Sequence, residues 1–375
     1  MYNEPIHFRE ADMLDSQGSR PCPGLTGLRN IGNTCFLNSI VQCLSNTDLL
    51  REFVVSGEYL NHIRSESRGD VIRAFSDLLS DIWIGEKACA DPTNFKLQIQ
   101  RFAPRFTGYS QQDAQEFLRY LLEGLHQDVN KVTVKHRRIL PELSDELPDG
   151  QKALESWRQY LTLENSHVVE LFVGQLKSTL TFTNCGHRST TFEPFWDLSL
   201  PLVQTTTHEL KLSDCFDQFM QDEILDGDNM AKCTRCNAQR RCTKRYSIHK
   251  YPRVLVVHLK RFSPNNKFHK LMTSVNFPIE GLDLSPYSDN THGDQVMEYD
   301  LYAVSNHSGT TLSGHYTANC RHPITQEWHC FNDSNVTSIQ ANRVVTSMAY
   351  VLFYEQRSTR CQTNRDCYLP TEDKS

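Results

Sequence analysis

A cysteine delivered by a glycine-bearing turn to the first turn of an amphipathic helix has the setting of a nucleophile. The segment Gly27-Leu28-Arg29-Asn30-Ile31-Gly32-Asn33-Thr34-Cys35-Phe36-Leu37-Asn38-Ser39 places Cys35 in that position. Unpaired backbone N–H groups and the helix dipole at such a start favour an anion. A thiolate is that anion, so the Cys35 thiol is expected to ionise below its ordinary value of about 8.5. The same N–H groups suit the oxyanion of an acyl-transfer intermediate. The plainer reading of a lone cysteine here is a small buried residue at a helix start.

A cysteine nucleophile needs a base, usually histidine held by Asn or Asp. There are 15 histidines, so number and spacing do not choose among them. The segment Ser313-Gly314-His315-Tyr316-Thr317-Ala318 singles out His315, at the start of a strand after a glycine-bearing loop. Phe331-Asn332-Asp333-Ser334 follows the next strand, so two adjacent strands bring either Asn332 or Asp333 beside His315. Taken alone, the first is a strand-end histidine and the second a polar turn.

The elements that position these residues change character along the chain. Phe36, Leu37, Ile40, Val41 and Leu44 recur at helical spacing, and a second helix is expected over Ala74–Ile84. Ser110–Gln127 reads as the clearest helix, with Ser110 and Asp113 in a capping-box-like start and Ala114, Phe117, Leu118, Leu121, Leu122 and Leu125 along one face. A charged connection over 128–165 carries a short helix around Trp157. Val254–Leu259, Tyr299–Ser305, His315–Cys320, Trp328–Phe331 and Tyr350–Tyr354 read as strands, separated by turn-forming stretches such as Ser263–Asn266. Helices followed by strands predict an α+β fold. Residues 1–23 read as a flexible lead-in and 358–375 as a polar tail.

Composition narrows the class. At 375 residues the chain can bury a large core. No apolar run approaches the roughly 18 residues of a membrane span, and the first 20 residues lack the apolar core of a signal peptide. Thirteen cysteines, an odd number without a secretion signal, point to reduced thiols in the cytosol or nucleus. A net charge of −6 disfavours generic nucleic-acid binding.

Together the Cys35 and His315 segments resemble the ubiquitin-specific proteases, a family of papain-like deubiquitinating enzymes. The resemblance runs from about Gly24 to Glu355 and includes Gln111–Leu118 and Leu255–Phe262. Phe172–Lys177, Phe195–Leu198 and Asn306–Thr311 resemble one branch of it in particular. It implies an open-hand catalytic domain over 24–357, with a helical thumb (about 24–170), β-rich fingers (about 171–252) and a β-sheet palm. Ubiquitin would sit on fingers and palm, its tail threading between thumb and palm to the thiol. The partners implied are ubiquitin and ubiquitinated proteins or polyubiquitin chains, handled by a monomer without a catalytic cofactor.

The resemblance also implies roles. Cys35 attacks the terminal glycine carbonyl, and His315 takes the thiol proton and returns it to the leaving amine. Asn332 takes the third position, with Asp333 assisting through His315 or a water. Asn30 matches the oxyanion donor, and Asp113 matches a residue that binds the ubiquitin tail while also standing where it caps its own helix. Gln115, Phe262 and Tyr316 fall in the same substrate-binding segments. Loops at Ser263–Leu271 and Ser308–Gly314 are expected to gate the tail channel.

Cys233-Thr234-Arg235-Cys236 has the knuckle spacing of a zinc ligand pair. The family's second pair is incomplete here: Cys185 is present, but Phe182 stands three residues before it. A structural zinc on Cys185, Cys233 and Cys236 needs His187 or Cys242 as fourth ligand; the alternative is a zinc-free finger. The basic run Arg240, Arg241, Lys244 and Arg245 lies nearby and reads as a solvated surface or a partner contact. Two other functions stand beside the deubiquitinase: a binding protein of this fold without catalysis, which an intact Cys35, His315 and Asn332 disfavour, and a papain-like enzyme for a ubiquitin-like modifier.

Overall fold

The computed structural model describes residues 22–63, 68–132, 143–203, 209–262, 270–289, 297–310 and 313–357. The terminal lead-in up to residue 21, the tail from 358, the turn Ser263–Asn266 and parts of both expected gating loops lie outside the described residues.

The helix Cys35–Ser45 runs through the middle of the molecule, and every one of its residues is buried. A helix enclosed on all sides must satisfy its polar side chains internally. Ser39 Oγ lies 2.5 Å from Ser305 Oγ, and Gln42 Nε2 donates to the Thr26 carbonyl at 2.9 Å. Asp70–Trp83 and Asp149–Leu161 are the helices expected around Ala74 and Trp157. The third begins later than expected. It spans Ala114–Asp128, because Asp113 is its N-cap, with Oδ1 accepting from Gln115 N (2.8 Å) and Glu116 N (3.1 Å). Such a cap contributes about 1 kcal/mol. Ser110 is no part of a capping box, and residues 110–112 stay outside the helix.

An eight-stranded sheet stands behind the helices. Its order is Asn335–Ile339, Trp328–Asn332, Gly314–Arg321, Glu298–Gly309, Ala349–Gln356, Val254–Lys260 and Leu198–Pro201, with Leu282–Asp283 paired to Glu298–Gly309. Neighbours are antiparallel except Val254–Lys260 with Leu198–Pro201. Successive side chains alternate between faces. Val254 and Val256 join the core under the helices, and Leu255, Val257 and Leu259 join a second core with Phe216 and Leu200. Burial on both faces explains why this strand reads as one continuous apolar run.

A four-stranded sheet, ordered Arg188–Phe195, Gly174–Phe182, Cys242–Lys250 and Glu223–Leu225, extends away from the cores. The small hairpin Ala231–Cys233/Ala238–Arg240 accompanies it. The α+β expectation is met. No helix among the described residues is long and apolar enough to cross a membrane.

Candidate active site

Cys35 opens its helix, and its residue is only 3% exposed. Thr34 stands at the N-cap but makes no side-chain cap bond. Its hydroxyl accepts from Ile31 N (3.0 Å) and lies 3.4 Å from Asn30 Oδ1. The first N–H groups of the helix therefore keep the orphan character that suits an anion. The thiol is nonetheless not lowered. Burial pushes it above the ordinary thiol value, against hydrogen bonds from the Tyr316 backbone, the Gln111 amide and the Phe36 backbone that pull it down. Desolvation of the charged form outweighs the pull of these hydrogen bonds, which corrects the expectation of a lowered thiol.

The sheet brings the strand that carries His315 against the helix of the thiol. Ser39 Oγ donates to the Thr317 carbonyl at 3.3 Å, fastening the helix to the strand that begins at Gly314. Gln111 Nε2 lies 3.5 Å from Cys35 Sγ and donates to the Gly314 carbonyl at 2.6 Å, while Gln111 Oε1 accepts from Gly314 N at 2.9 Å. The backbone on either side of His315 is thus tied to the surroundings of the thiol. Gly314 tolerates no side chain, since a Cβ there would stand 2.2 Å from His307 Nε2 and 2.7 Å from the Ser308 carbonyl.

His315 Nε2 lies 2.7 Å from Asn332 Oδ1, at the end of the neighbouring strand. With that oxygen as acceptor, Nε2 carries the proton and Nδ1 keeps its lone pair; this tautomer is inferred from the bonding. Asn332 is thus the histidine's partner. Asp333 turns elsewhere because it occupies the tight turn to Asn335 with φ of 49°. Its carboxylate accepts from Asn30 Nδ2 (2.9 Å) and Asn38 Nδ2 (2.8 Å), and its carbonyl accepts from Leu28 N (2.8 Å). Asp333 therefore serves the loop before Cys35 and the nucleophile's own helix, not the imidazole. Gly27 permits this docking, because a Cβ there would stand 2.4 Å from the Ser334 carbonyl oxygen.

Asn30 Oδ1 also accepts from Gly32 N (3.1 Å) and Thr34 N (3.2 Å), which fixes which way its amide points. One amide hydrogen goes to Asp333, leaving the second for a ligand.

Asp113 uses both oxygens at once. Oδ1 caps the helix, and Oδ2 accepts from Tyr350 OH at 2.5 Å. Behind it stands an aromatic wall. Phe262 meets His307 and Tyr350 edge-on, each at 5.5 Å between centroids, and Tyr316 lies 4.5 Å from His307. Gln115 stands apart, donating to Asp197 Oδ2 at 3.1 Å, while Asp197 also pairs with Arg119 at 2.9 Å. Sequence reasoning missed Gln111, Asn38 and Tyr350 as site residues. For Gln111 the signal was a pair of amides directly before the capping aspartate.

A further concavity lies away from the thiol. A polar concavity of about 710 Å³ lies between the four-stranded sheet and the segments around Met220 and Ser288, lined among others by Lys177, Arg188, Asp217, Arg245 and Tyr246.

Cys185, Cys233 and Cys236 converge, with ligand atoms within 4.8 Å of one another. Neither expected fourth ligand joins them. His187 Nε2 lies 3.0 Å from Thr234 Oγ1 and 3.4 Å from Asp145 Oδ2. Cys242 is buried against Phe182 and Cys233 and adds no ligand atom to the group. A four-coordinate zinc site is therefore not completed by the described residues.

Comparison with known proteins places this geometry in a family. The family model for ubiquitin carboxyl-terminal hydrolase matches residues 26–354. The chain is 51% identical over 348 residues to Ubiquitin carboxyl-terminal hydrolase 2 of Homo sapiens, covering 92% of this chain and 57% of that protein. It is 51% identical over 346 residues to the Gallus gallus protein of the same name, covering 91% of this chain and 96% of that one. The chain thus spans little more than half of the human relative. Among solved structures, a chain of the SAGA DUB module bound to monoubiquitin superposes with a TM-score of 0.71 at 29% identity, covering 92% of this chain and 73% of that one.

Proposed function

The chain belongs to the ubiquitin carboxyl-terminal hydrolase family, in its ubiquitin-specific protease branch, and we propose that it is a thiol protease cleaving the bond after the C-terminal glycine of ubiquitin on proteins or polyubiquitin chains. One observation carries the reading. The Cys35 thiol is lodged between the Gln111 amide and the backbone at Tyr316, the residue next to His315, whose Nε2 lies 2.7 Å from Asn332 Oδ1. Its chemistry requires no cofactor.

The raised thiol shapes the proposed mechanism. Burial holds the Cys35 thiol against ionisation. As the substrate carbonyl arrives, His315 Nδ1 takes the proton while sulfur attacks carbon, so the thiolate forms together with the new bond. The oxyanion is received by backbone N–H groups at the helix start and by the free hydrogen of Asn30 Nδ2. Imidazolium then protonates the leaving amine, the C–N bond breaks, and water hydrolyses the thioester. Asn332 holds the imidazole without adding a charge. Asp333 acts as a positioning residue through Asn30 and Asn38.

The substrate side follows the same family reading. We assign thumb to the helical part, fingers to the four-stranded sheet and palm to the eight-stranded sheet, with the polar concavity as part of the seat for the ubiquitin body. Asp113, beside Phe262 and Tyr316, presents a carboxylate to a basic tail, and Gln115, held by Asp197, lies two residues further along. All these groups come from one chain, which suits a monomer. The described cysteines are free thiols, which supports a reducing compartment, cytoplasm with or without nucleus. Recovery of the protein from the secretory pathway on cell fractionation would overturn that placement.

The test is steady-state hydrolysis of a fluorogenic amide on the ubiquitin C-terminus, run beside the same amide on a ubiquitin-like modifier. The proposal expects turnover of the ubiquitin substrate and its loss in Cys35→Ala. Preference for the modifier would transfer the activity to that substrate. No turnover of either, with ubiquitin still bound, would favour a binding protein.

A further inference from the structure

The fingertip thiols have no part in this chemistry, yet they are built as a site. Cys233 and Cys236 form a knuckle in which Cys236 N donates to Cys233 Sγ at 3.4 Å. Cys185 arrives from the turn between Gly174–Phe182 and Arg188–Phe195, its Sγ 3.7 Å from that of Cys233. Two separate hairpins therefore aim three sulfurs at one point. Burial is graded around it: Cys233 is enclosed, Cys185 is half-buried and Cys236 is exposed, which leaves a route of approach from solvent.

Hydrocarbon packs beside the sulfurs, where the fourth cysteine of a complete set would stand. Phe182 is 1% exposed, packs with Cys233, Cys242 and Cys185, and stacks on His187 at 6.0 Å with 15° between the rings. That stack and the bonds to Thr234 and Asp145 turn the His187 imidazole away from the sulfurs. Structural zinc demands a closed tetrahedral set of four protein ligands. Three sulfurs beside a phenyl ring offer three ligands instead, and thiolates prefer soft ions.

We infer that Cys185, Cys233 and Cys236 form a three-thiolate site for a soft, thiophilic cation of low coordination number, of which the cuprous ion is the type, and that Phe182 keeps the site from closing around zinc. Binding releases the thiol protons as three sulfur–metal bonds form, with no change of oxidation state. The surroundings suit the negative charge left on such a centre. Arg235 lies between the two knuckle cysteines, and Lys232, Arg240 and Arg241 are exposed in the same segment.

The experiment is an anaerobic titration of the full chain with Cu(I) held by bicinchoninate, whose colour fades as the protein takes the ion. In parallel, zinc content is measured after equilibration with Zn²⁺ and desalting. Wild type is expected to take one Cu(I) per chain and to keep no stoichiometric zinc. Cys236→Ser, a change at an exposed position, is expected to lose the copper uptake. Phe182→Cys, which supplies the missing fourth thiol, is expected to keep about one zinc per chain. Failure of wild type to compete for Cu(I), or uptake unchanged in Cys236→Ser, would overturn the site. Stoichiometric zinc on wild type that Cys236→Ser loses would overturn the exclusion of zinc, and Phe182→Cys without zinc would remove Phe182 as its cause. None of these readouts depends on ubiquitin hydrolysis.

Discussion

Asn30 Nδ2 donates to Asp333 Oδ2 at 2.9 Å, so the proposed oxyanion donor is aimed by the turn that immediately follows the histidine's partner. The other oxygen of the same carboxylate holds Asn38, three residues beyond Cys35. One carboxylate thus sets the loop before the nucleophile against the helix that carries it. Asn30→Ala is expected to lower kcat by about 10²–10³-fold, the usual cost of one oxyanion donor. Asp333→Asn keeps the shape but loses an acceptor, and is expected to lower kcat by about 10–100-fold with KM little changed. Steady-state kinetics on a ubiquitin amide checks both. A wild-type kcat in Asp333→Asn would show that the Asn30 amide orients without it.

The raised Cys35 thiol sets an expected pH dependence. In the free enzyme the alkylation rate follows the thiolate, whose fraction grows as pH rises toward a value above the ordinary one of about 8.5. Iodoacetamide inactivation without substrate is therefore expected to keep accelerating beyond that point. A rate already level near neutral pH would mean a preformed thiolate–imidazolium pair.

His307 is enclosed by Phe262, Tyr316 and Tyr350, and burial, with Lys270 next, lowers its pKa from 6.5 to about 4. Between those values the unfolded chain binds a proton that the folded one refuses, so stability rises with pH across the window. Its contribution is intact above 6.5 and is lost progressively as pH falls toward 4. Urea midpoints at several pH values in this range are expected to fall on the acid side. His307→Gln, which does not titrate, is expected to flatten that slope; an unchanged slope would place the acid sensitivity elsewhere.

Asp113 joins two jobs that one substitution separates. Serine also caps helices well, so Asp113→Ser is expected to keep the start of Ala114–Asp128 while removing the charge offered to the ubiquitin tail. A lost charged contact of about 1.5–3 kcal/mol corresponds to a KM roughly 10-fold to 100-fold higher. Thermal melting beside the kinetics separates a fold defect from a binding one. An unchanged KM would leave Asp113 as a cap and a partner of Tyr350 only.

Much of this was legible in the sequence because it is local. The start of the Cys35 helix, the strand that begins at Gly314 and the hairpin after Asn332 follow from spacing and turn residues. Spacing alone allowed Asn332 or Asp333 beside His315, since it does not say which side chain a turn points inward, and only the resemblance chose Asn332. The 2.7 Å contact of Asn332 with His315 and the φ of 49° at Asp333 agree with that choice. Gln111 escaped because its role depends on Gly314, 203 positions away. The helix start at Ser110 was misplaced because two residues of capping type compete there, and only Asp113 also finds Tyr350. The thiol's direction was misjudged because helix-start stabilisation is visible locally, whereas burial is a property of the whole fold.

The most direct measurement is labelling with ubiquitin carrying a C-terminal electrophile, followed by peptide mass spectrometry of the adduct. Cys35 attacking a tail threaded beside His315 predicts one ubiquitin per chain, attached at Cys35 and absent from Cys35→Ala. Attachment at another cysteine, or labelling that persists in Cys35→Ala, would contradict it.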